Sequence, residues 1–211
     1  MPVPISLPFK EKIKGISIGY NNAFIISDIG KGYGIGDNSC NQISDKKTGK
    51  LNEWTEVPLP EGYTKYVTCS IGENYCLYLV LNQSNKIKVL AQGDNKRSQC
   101  GMKTTKENLP VPTIVPFIDK FQFKKICARN NTSAALSFDG ELYVFGDNEN
   151  QAIPFIKEKF IEYPKKILCP YKVEDFSLCS THLVIVANGY DKIEKKFVRK
   201  VYACGCNENG E

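Results

Sequence analysis

The sequence predicts an all-β protein of four repeated sheet-forming units. Three observations predict it: a Gly-x-Asn signature that recurs four times at near-equal spacing, short apolar strands at fixed positions before each copy, and no stretch with a sustained helical period. The copies are Gly36-Asp37-Asn38, Gly93-Asp94-Asn95, Gly146-Asp147-Asn148 and Gly205-Cys206-Asn207, about 55 residues apart. A glutamine follows at Gln42, Gln99 and Gln151, and the fourth copy has Gly210-Glu211 in the equivalent place.

Ahead of each signature lie two apolar strands joined by a turn. They read Ile16 to Ile18 with Ala23 to Ile26, Val67 to Ile71 with Cys76 to Leu81, Ile126 to Ala128 with Ala134 to Leu136, and Phe176 to Leu178 with Leu183 to Val186. A third strand leads into each Gly-x-Asn: Tyr33 to Ile35, Ile87 to Ala91, Leu142 to Phe145, and Val201 to Cys204. Gly, Asn, Asp and Pro bound these runs, and Asp139-Gly140 reads as a two-residue hairpin turn.

A third block fixes the phase of the repeats. Pro2-Val3-Pro4 with Pro8-Phe9 recurs, spacing for spacing, as Pro110-Val111-Pro112 with Pro116-Phe117, and Pro164 with Pro170-Tyr171 keeps the same step. The units therefore run over 1–43, 51–101, 109–153 and 162–211, as one repeat array without separate domains. Four-strand units at this period are propeller blades, whose sheets bury their faces against neighbours.

The repeat resembles that of the regulator of chromosome condensation family, in which an apolar strand, a small or His-containing turn and a DG hairpin lead to G-x-N-x-x-G-Q. Repeat three matches best, over SAALSFDGELYVFGDNENQ from Ser133 to Gln151, one residue short before Gln151; repeat four supplies His182 in the turn and GCNENGE at the end. The glycine before the turn stands at Gly19 and Gly72 but is replaced by Arg129 and Cys179, and longer loops replace the DG hairpin in repeats two and four, so irregular blades are expected. The resemblance implies a ring that is usually seven-bladed, of which four repeats are a part. Met1 reads as a natural start and Glu211 stops inside a motif, so a longer chain with further C-terminal blades is expected, with a second chain or a closed four-blade ring as the alternatives.

Composition points to a folded protein, 42% hydrophobic and 24% charged. No apolar run approaches the roughly 20 residues of a membrane helix, and the N-terminal segment lacks the pattern of a secretory signal. Nine scattered cysteines, an odd number, suit a reducing compartment, so an intracellular location, cytoplasmic or nuclear, is expected and the glycosylation-like triplets at Asn82, Asn130 and Asn131 carry no weight.

Chemistry is sparse. The single histidine, His182, excludes any site needing two, and its place in the repeat makes it a turn residue. Cys204-x-Cys206 has no companion pair to complete a metal site. The glycines from Gly30 to Gly36 match no phosphate-loop pattern and lead into no helix. No cofactor, metal or catalytic residue is assigned. The motif residues Gly36, Asn38, Gln42, Gly93, Asn95, Gln99, Gly146, Asn148, Gln151, Gly205, Asn207 and Gly210 are read as structural, the glycines for positive φ and the asparagines for local backbone bonds.

Net charge is +5. The densest basic cluster, Lys192, Lys195, Lys196, Arg199 and Lys200, is a solvated hairpin loop or a site for nucleic acid or an acidic protein. Tyr63, Lys65 and Tyr66 are either core or a stacking platform for single strands, and Trp54, in the linker between repeats, is a packed residue or an interface anchor. The function that makes the fewest demands is a non-enzymatic platform holding a protein partner through rim loops, with Ser44 to Thr55, Gln99 to Asn108 and Gly189 to Lys200 as candidate loops. The resemblance also implies guanine nucleotide exchange on a Ran-type small GTPase, with chromatin association.

Overall fold

A computed structural model of the chain describes residues 5–103 and 107–206; Pro2-Val3-Pro4, Asn207 and Gly210 lie outside them. The described residues form fifteen strands and no helix, so no helix is long and apolar enough to cross a membrane. The strands make four antiparallel sheets in chain order. The first contains β1 (Ile13–Ile18), β2 (Asn22–Ser27), β3 (Gly32–Asn38) and β4 (Gly49–Val57). The second contains β5 (Tyr63–Ile71), β6 (Tyr75–Asn82), β7 (Ile87–Asp94) and β8 (Asn108–Ile114). The third contains β9 (Phe123–Arg129), β10 (Thr132–Ser137), β11 (Leu142–Asp147) and β12 (Phe160–Lys166). The fourth has three strands, β13 (Lys172–Leu178), β14 (His182–Asp191) and β15 (Lys196–Gly205).

Each sheet is a propeller blade whose first strand packs against the first strand of the next, β1 on β5, β5 on β9 and β9 on β13. Among the described residues the first and fourth sheets make no comparable contact. Blade and sequence repeat are out of phase. The Pro110-Val111-Pro112 block, which opens a unit of the sequence, is β8, the outer strand of the blade before it. Proline is tolerated there because an outer strand needs ladder bonds on one side only. Trp54 accordingly lies within β4 and not in a linker, half-buried, with its indole Nε1 buried and unbonded.

The central strands of the second and third blades are buried on both sides because a neighbouring blade covers each face. Tyr75 to Val80 of β6 are all buried, and Leu77 and Leu136 are fully so, each contributing about 2 kcal/mol from removal of apolar surface. Tyr66 is 1% exposed and packs edge-on to Phe24 of the preceding blade at 5.4 Å, so it is core at a blade junction and unavailable for stacking, while Tyr63 is half-buried and Lys65 exposed.

One hairpin design recurs in the first three blades. At Asp139-Gly140 only Gly140 has a positive φ (+79°), whereas a two-residue type I′ turn would need it at both central positions. Ser137 bonds Glu141 from N to O at 2.9 Å and Gly140 N donates to Ser137 O at 3.2 Å, which makes a three-residue loop with its last residue left-handed. Asn85 (φ 56°) takes that place in the second blade, between Asn82 and Lys86, so this hairpin is no longer than the third blade's. Only the fourth blade departs: β14 and β15 pair over ten residues to Asp191 and Lys196, so much of the segment Gly189 to Lys200 is strand.

Candidate interaction face

Antiparallel order places the first turn and the Gly-x-Asn loop of each of the first three blades at the same end of the molecule. The loop is organised by the motif asparagine. Asn38 is fully buried; its Oδ1 accepts from Ile43 N (2.7 Å) and Ser44 N (3.0 Å), and its Nδ2 donates to Ser44 O (2.9 Å) and Lys47 O. Asn95 holds Cys100 N (3.0 Å) and Met102 O (2.7 Å), and Asn148 holds Ile153 N (3.0 Å) and Ile156 O (2.9 Å). A buried amide thereby takes up backbone groups that no strand pairs. The glycine two residues earlier has φ of 104°, 106°, 96° and 149° at Gly36, Gly93, Gly146 and Gly205. A Cβ at Gly146 would lie 2.4 Å from Asn131 O.

The glutamines divide. Gln42 and Gln99 are fully buried, accepting from Cys40 N (2.9 Å) and Arg97 N (2.8 Å) and donating to Asp37 (3.3 Å) and Asp94 (3.1 Å). Gln151 is exposed with φ 52°, the conformation of Asn41 (56°) and Ser98 (59°). Its N–H bonds Asn148 O as theirs bond Asn38 O and Asn95 O. Repeat three therefore lacks no residue: Ala152 occupies the glutamine position, and Gln151 is the turn residue before it. The next blade grips the backbone at this position each time, through Tyr78 on Gln42 O (3.2 Å), Ser133 on Gln99 O (2.6 Å) and Cys204 on Ala152 O (3.5 Å).

Where the first turns of three blades converge, a cavity of about 310 Å³ opens between Ile18, Tyr20, Glu73, Arg129 and Asn130. Tyr20 is 85% exposed. A second cavity of about 310 Å³ adjoins it through Glu73 and Asn130 and reaches Arg97, Asp147 and Glu149. Arg97 Nη1 meets Glu149 at 2.6 Å and Asp147 at 2.7 Å, which holds the guanidinium above its ordinary pKa and the Glu149 carboxyl below its own. Sequence reasoning missed this cluster, because Tyr20, Glu73 and Arg129 belong to turns more than fifty residues apart, differ in chemistry from turn to turn, and come together only around the ring.

His182 stands on the fourth turn. Its Nε2 donates to Cys206 O (2.6 Å), and its Nδ1 lies 2.8 Å from the Thr181 hydroxyl. The Cys179 Sγ is 3.9 Å from Nδ1. Burial pushes the Cys179 thiol up, but hydrogen bonds from the Thr181 side chain and N–H and from His182 outweigh it and bring the pKa down to about 7.

The basic cluster lies at the opposite end, on the β14–β15 hairpin. Lys192 and Lys195 are exposed on its turn, while Lys196 pairs with Glu194 (2.9 Å), Arg199 is bidentate to Glu174 (2.8 Å) and Lys200 contacts Asp191 (3.0 Å). Three of its five charges are thus already engaged. Trp54, on β4, and this hairpin are not brought to the Gly-x-Asn end.

No protein-family model matches the chain. It is 31% identical over 140 residues to the X-linked retinitis pigmentosa GTPase regulator of Canis lupus familiaris, covering 65% of this chain and 13% of that protein. It is 26% identical over 162 residues to the guanine nucleotide exchange factor SRM1 of Saccharomyces cerevisiae, covering 74% of this chain and 32% of SRM1. Among solved structures, Prp20p of Saccharomyces cerevisiae, a protein with binding properties to Gsp1p and histones, superposes on 97% of this chain and 48% of its own with a TM-score of 0.71 and 21% identity. The chain spans less than half the length of each of these proteins. The four blades thus share one repeat design, regulator of chromosome condensation-like in its sequence pattern, and the chain is similar in sequence to these relatives and in its β-propeller fold to Prp20p.

Proposed function

We propose that the chain is a non-catalytic platform that holds a protein partner at its Gly-x-Asn end, and that the partner is a small GTPase of the Ran type. The observation that carries this reading is the pair of adjoining cavities rimmed by Tyr20, Arg129 and the Arg97-Asp147-Glu149 cluster. Exposed Tyr and Arg around a shallow polar depression on a rigid frame are the residue types that dominate protein interfaces. The choice of a GTPase is supported by the names of the relatives, a GTPase regulator and an exchange factor. The resemblance to SRM1 favours a second, finer reading in which binding accelerates nucleotide release.

One experiment separates these. A small GTPase loaded with fluorescent guanine nucleotide is titrated with the chain, and both complex formation and nucleotide release are followed. Binding without faster release supports the platform alone; faster release supports exchange. Absence of binding removes the GTPase as partner. Tyr20→Ala and Arg129→Glu, both exposed, are expected to weaken the complex roughly 10-fold or more.

A further inference from the structure

A groove of about 630 Å³ opens at the junction of the second and third blades, toward the end away from the Gly-x-Asn loops, and both its walls are blades with a neighbour on each side. Val67, Thr68 and Ile87 line it from one blade and Lys124, Lys125 and Phe138 from the other. Phe138, on the hairpin between β10 and β11, is 58% exposed. The register of the blades explains the opening. The first strand of every blade carries a one-residue bulge at the same place, at Lys14, Val67, Lys124 and Glu174, and the residue after it is Gly15, Thr68, Lys125 and Asp175 in turn. At the junction of the third and fourth blades Lys125 crosses to the next blade: its Nζ reaches Asp175 Oδ1 (2.5 Å) and Phe176 O (2.6 Å) and stands over the Phe176 ring. Thr68 holds that place one junction earlier and is too short to cross, so the corresponding space stays open over Ile126, the register equivalent of Phe176.

We propose that this groove binds a peptide segment of a protein partner through an apolar side chain flanked by carboxylates. The apolar anchor follows from the lining, since Val67, Ile87, Ile126 and Phe138 present surface that is stabilised by an apolar cover. The sign of the charge follows from the neighbouring junction. There the crossing cation meets Asp175; here the residue at the register position of Asp175 is Lys125 and the one before it is Lys124, so a group that crosses must be an anion. Lys125 already holds Asp175, whereas Lys124 is exposed and forms no ion pair among the described residues. Lys124 and Lys125 are the only ionisable side chains lining the groove, so no carboxylate in its walls competes. An extended peptide turns successive side chains to opposite sides, so an anchor in the groove brings its neighbours to the rim, where Lys124 stands. The groove shares no lining residue with the two cavities of the Gly-x-Asn end, which makes it a separate site.

The test is selection of phage-displayed random peptides on the 211-residue chain, followed by fluorescence anisotropy with the labelled selected peptides. The expected peptides carry Leu, Ile, Met or Phe with Asp or Glu beside it. Lys124→Glu, at an exposed position, is expected to weaken binding roughly 10-fold or more. Thr68→Met, which fills the groove with an unbranched side chain, is expected to abolish it, and both variants keep the strand spectrum of the wild type. Tyr20→Ala and Arg129→Glu leave the peptide's affinity unchanged, so the result stands apart from that of the GTPase titration. No enriched peptide, enriched peptides without acidic residues, or binding that survives either groove substitution overturns the proposal. Binding lost in Tyr20→Ala or Arg129→Glu assigns the peptide to the other end and overturns it as well. Vesicles of phosphatidylserine and phosphatidylcholine form a second arm: co-sedimentation of the wild type but not of Lys124→Glu, with no peptide enriched, gives the groove to a lipid surface instead.

Discussion

The Ser133 hydroxyl lies 2.6 Å from Gln99 O and 2.7 Å from the Tyr75 hydroxyl, all three groups buried, so one side chain of the third blade closes a polar bridge to two elements of the second. Tyr75 also donates to Thr132 O at 2.9 Å, and burial pushes its hydroxyl well above the ordinary tyrosine range. Ser133→Ala strands an acceptor in the core and is expected to cost about 1–3 kcal/mol in denaturant unfolding. Tyr75→Phe on top of it is expected to cost less than on the wild type, since the two hydroxyls share one network; strict additivity would break this account.

Asn38 tests the loop mechanism. Asn38→Ala orphans the Ile43 and Ser44 N–H groups and two carbonyls together, at an expected cost of about 2 kcal/mol or more. Hydrogen exchange is the decisive readout: the amides of Ile43 and Ser44 should lose protection in the variant, while those of β10 and β11 keep theirs.

The Cys179 thiol should be the most reactive of the nine at neutral pH. Alkylation by iodoacetamide is expected to rise with pH through a midpoint of about 7, because the thiolate is the nucleophile. Removing a donor with Thr181→Val moves the midpoint up toward the ordinary thiol value. Cys100, fully buried and with its pKa pushed well up by that burial, should stay unlabelled until the protein unfolds. A Cys179 midpoint at or above the ordinary value would contradict the hydrogen-bond geometry.

Asp191 makes the fourth blade sensitive to acid. Its carboxylate accepts from the Tyr171 hydroxyl at 2.6 Å, from Glu194 N at 3.1 Å and from Lys200 at 3.0 Å, which holds it far below the usual carboxylate range. Since the folded-state pKa is the lower one, its contribution is complete above the unfolded value near about 3.9 and is lost as pH falls through the folded value. Asp191→Asn should therefore melt at a lower temperature than wild type near neutrality and lose less on acidification; parallel melting curves would sink this assignment.

What the sequence determined by itself is the local chemistry of the repeat. Gly-x-Asn, the apolar strands before it and the hairpin at Gly140 are legible because positive φ, amide capping and strand burial each demand particular residue types at short range. The outer strands β4 and β12 carry no such mark, since one edge and one face meet solvent and their residues are free to be polar. Tertiary structure alone decided the remainder. Only the backbone conformation shows that Gln151 is a turn residue and that Ala152 fills the glutamine position, a one-residue shift that identical letters conceal. The blade boundary, too, falls elsewhere than the sequence repeat, because β8 pairs with β7 although the chain continues from it into the third blade. The cluster of Tyr20, Glu73 and Arg129 joins residues from three turns, and the bareness of Ile18 against the burial of Ile71 depends on whether a blade stands in front of it. Neighbours around a ring are set by the packing of whole sheets, which no window of sequence contains.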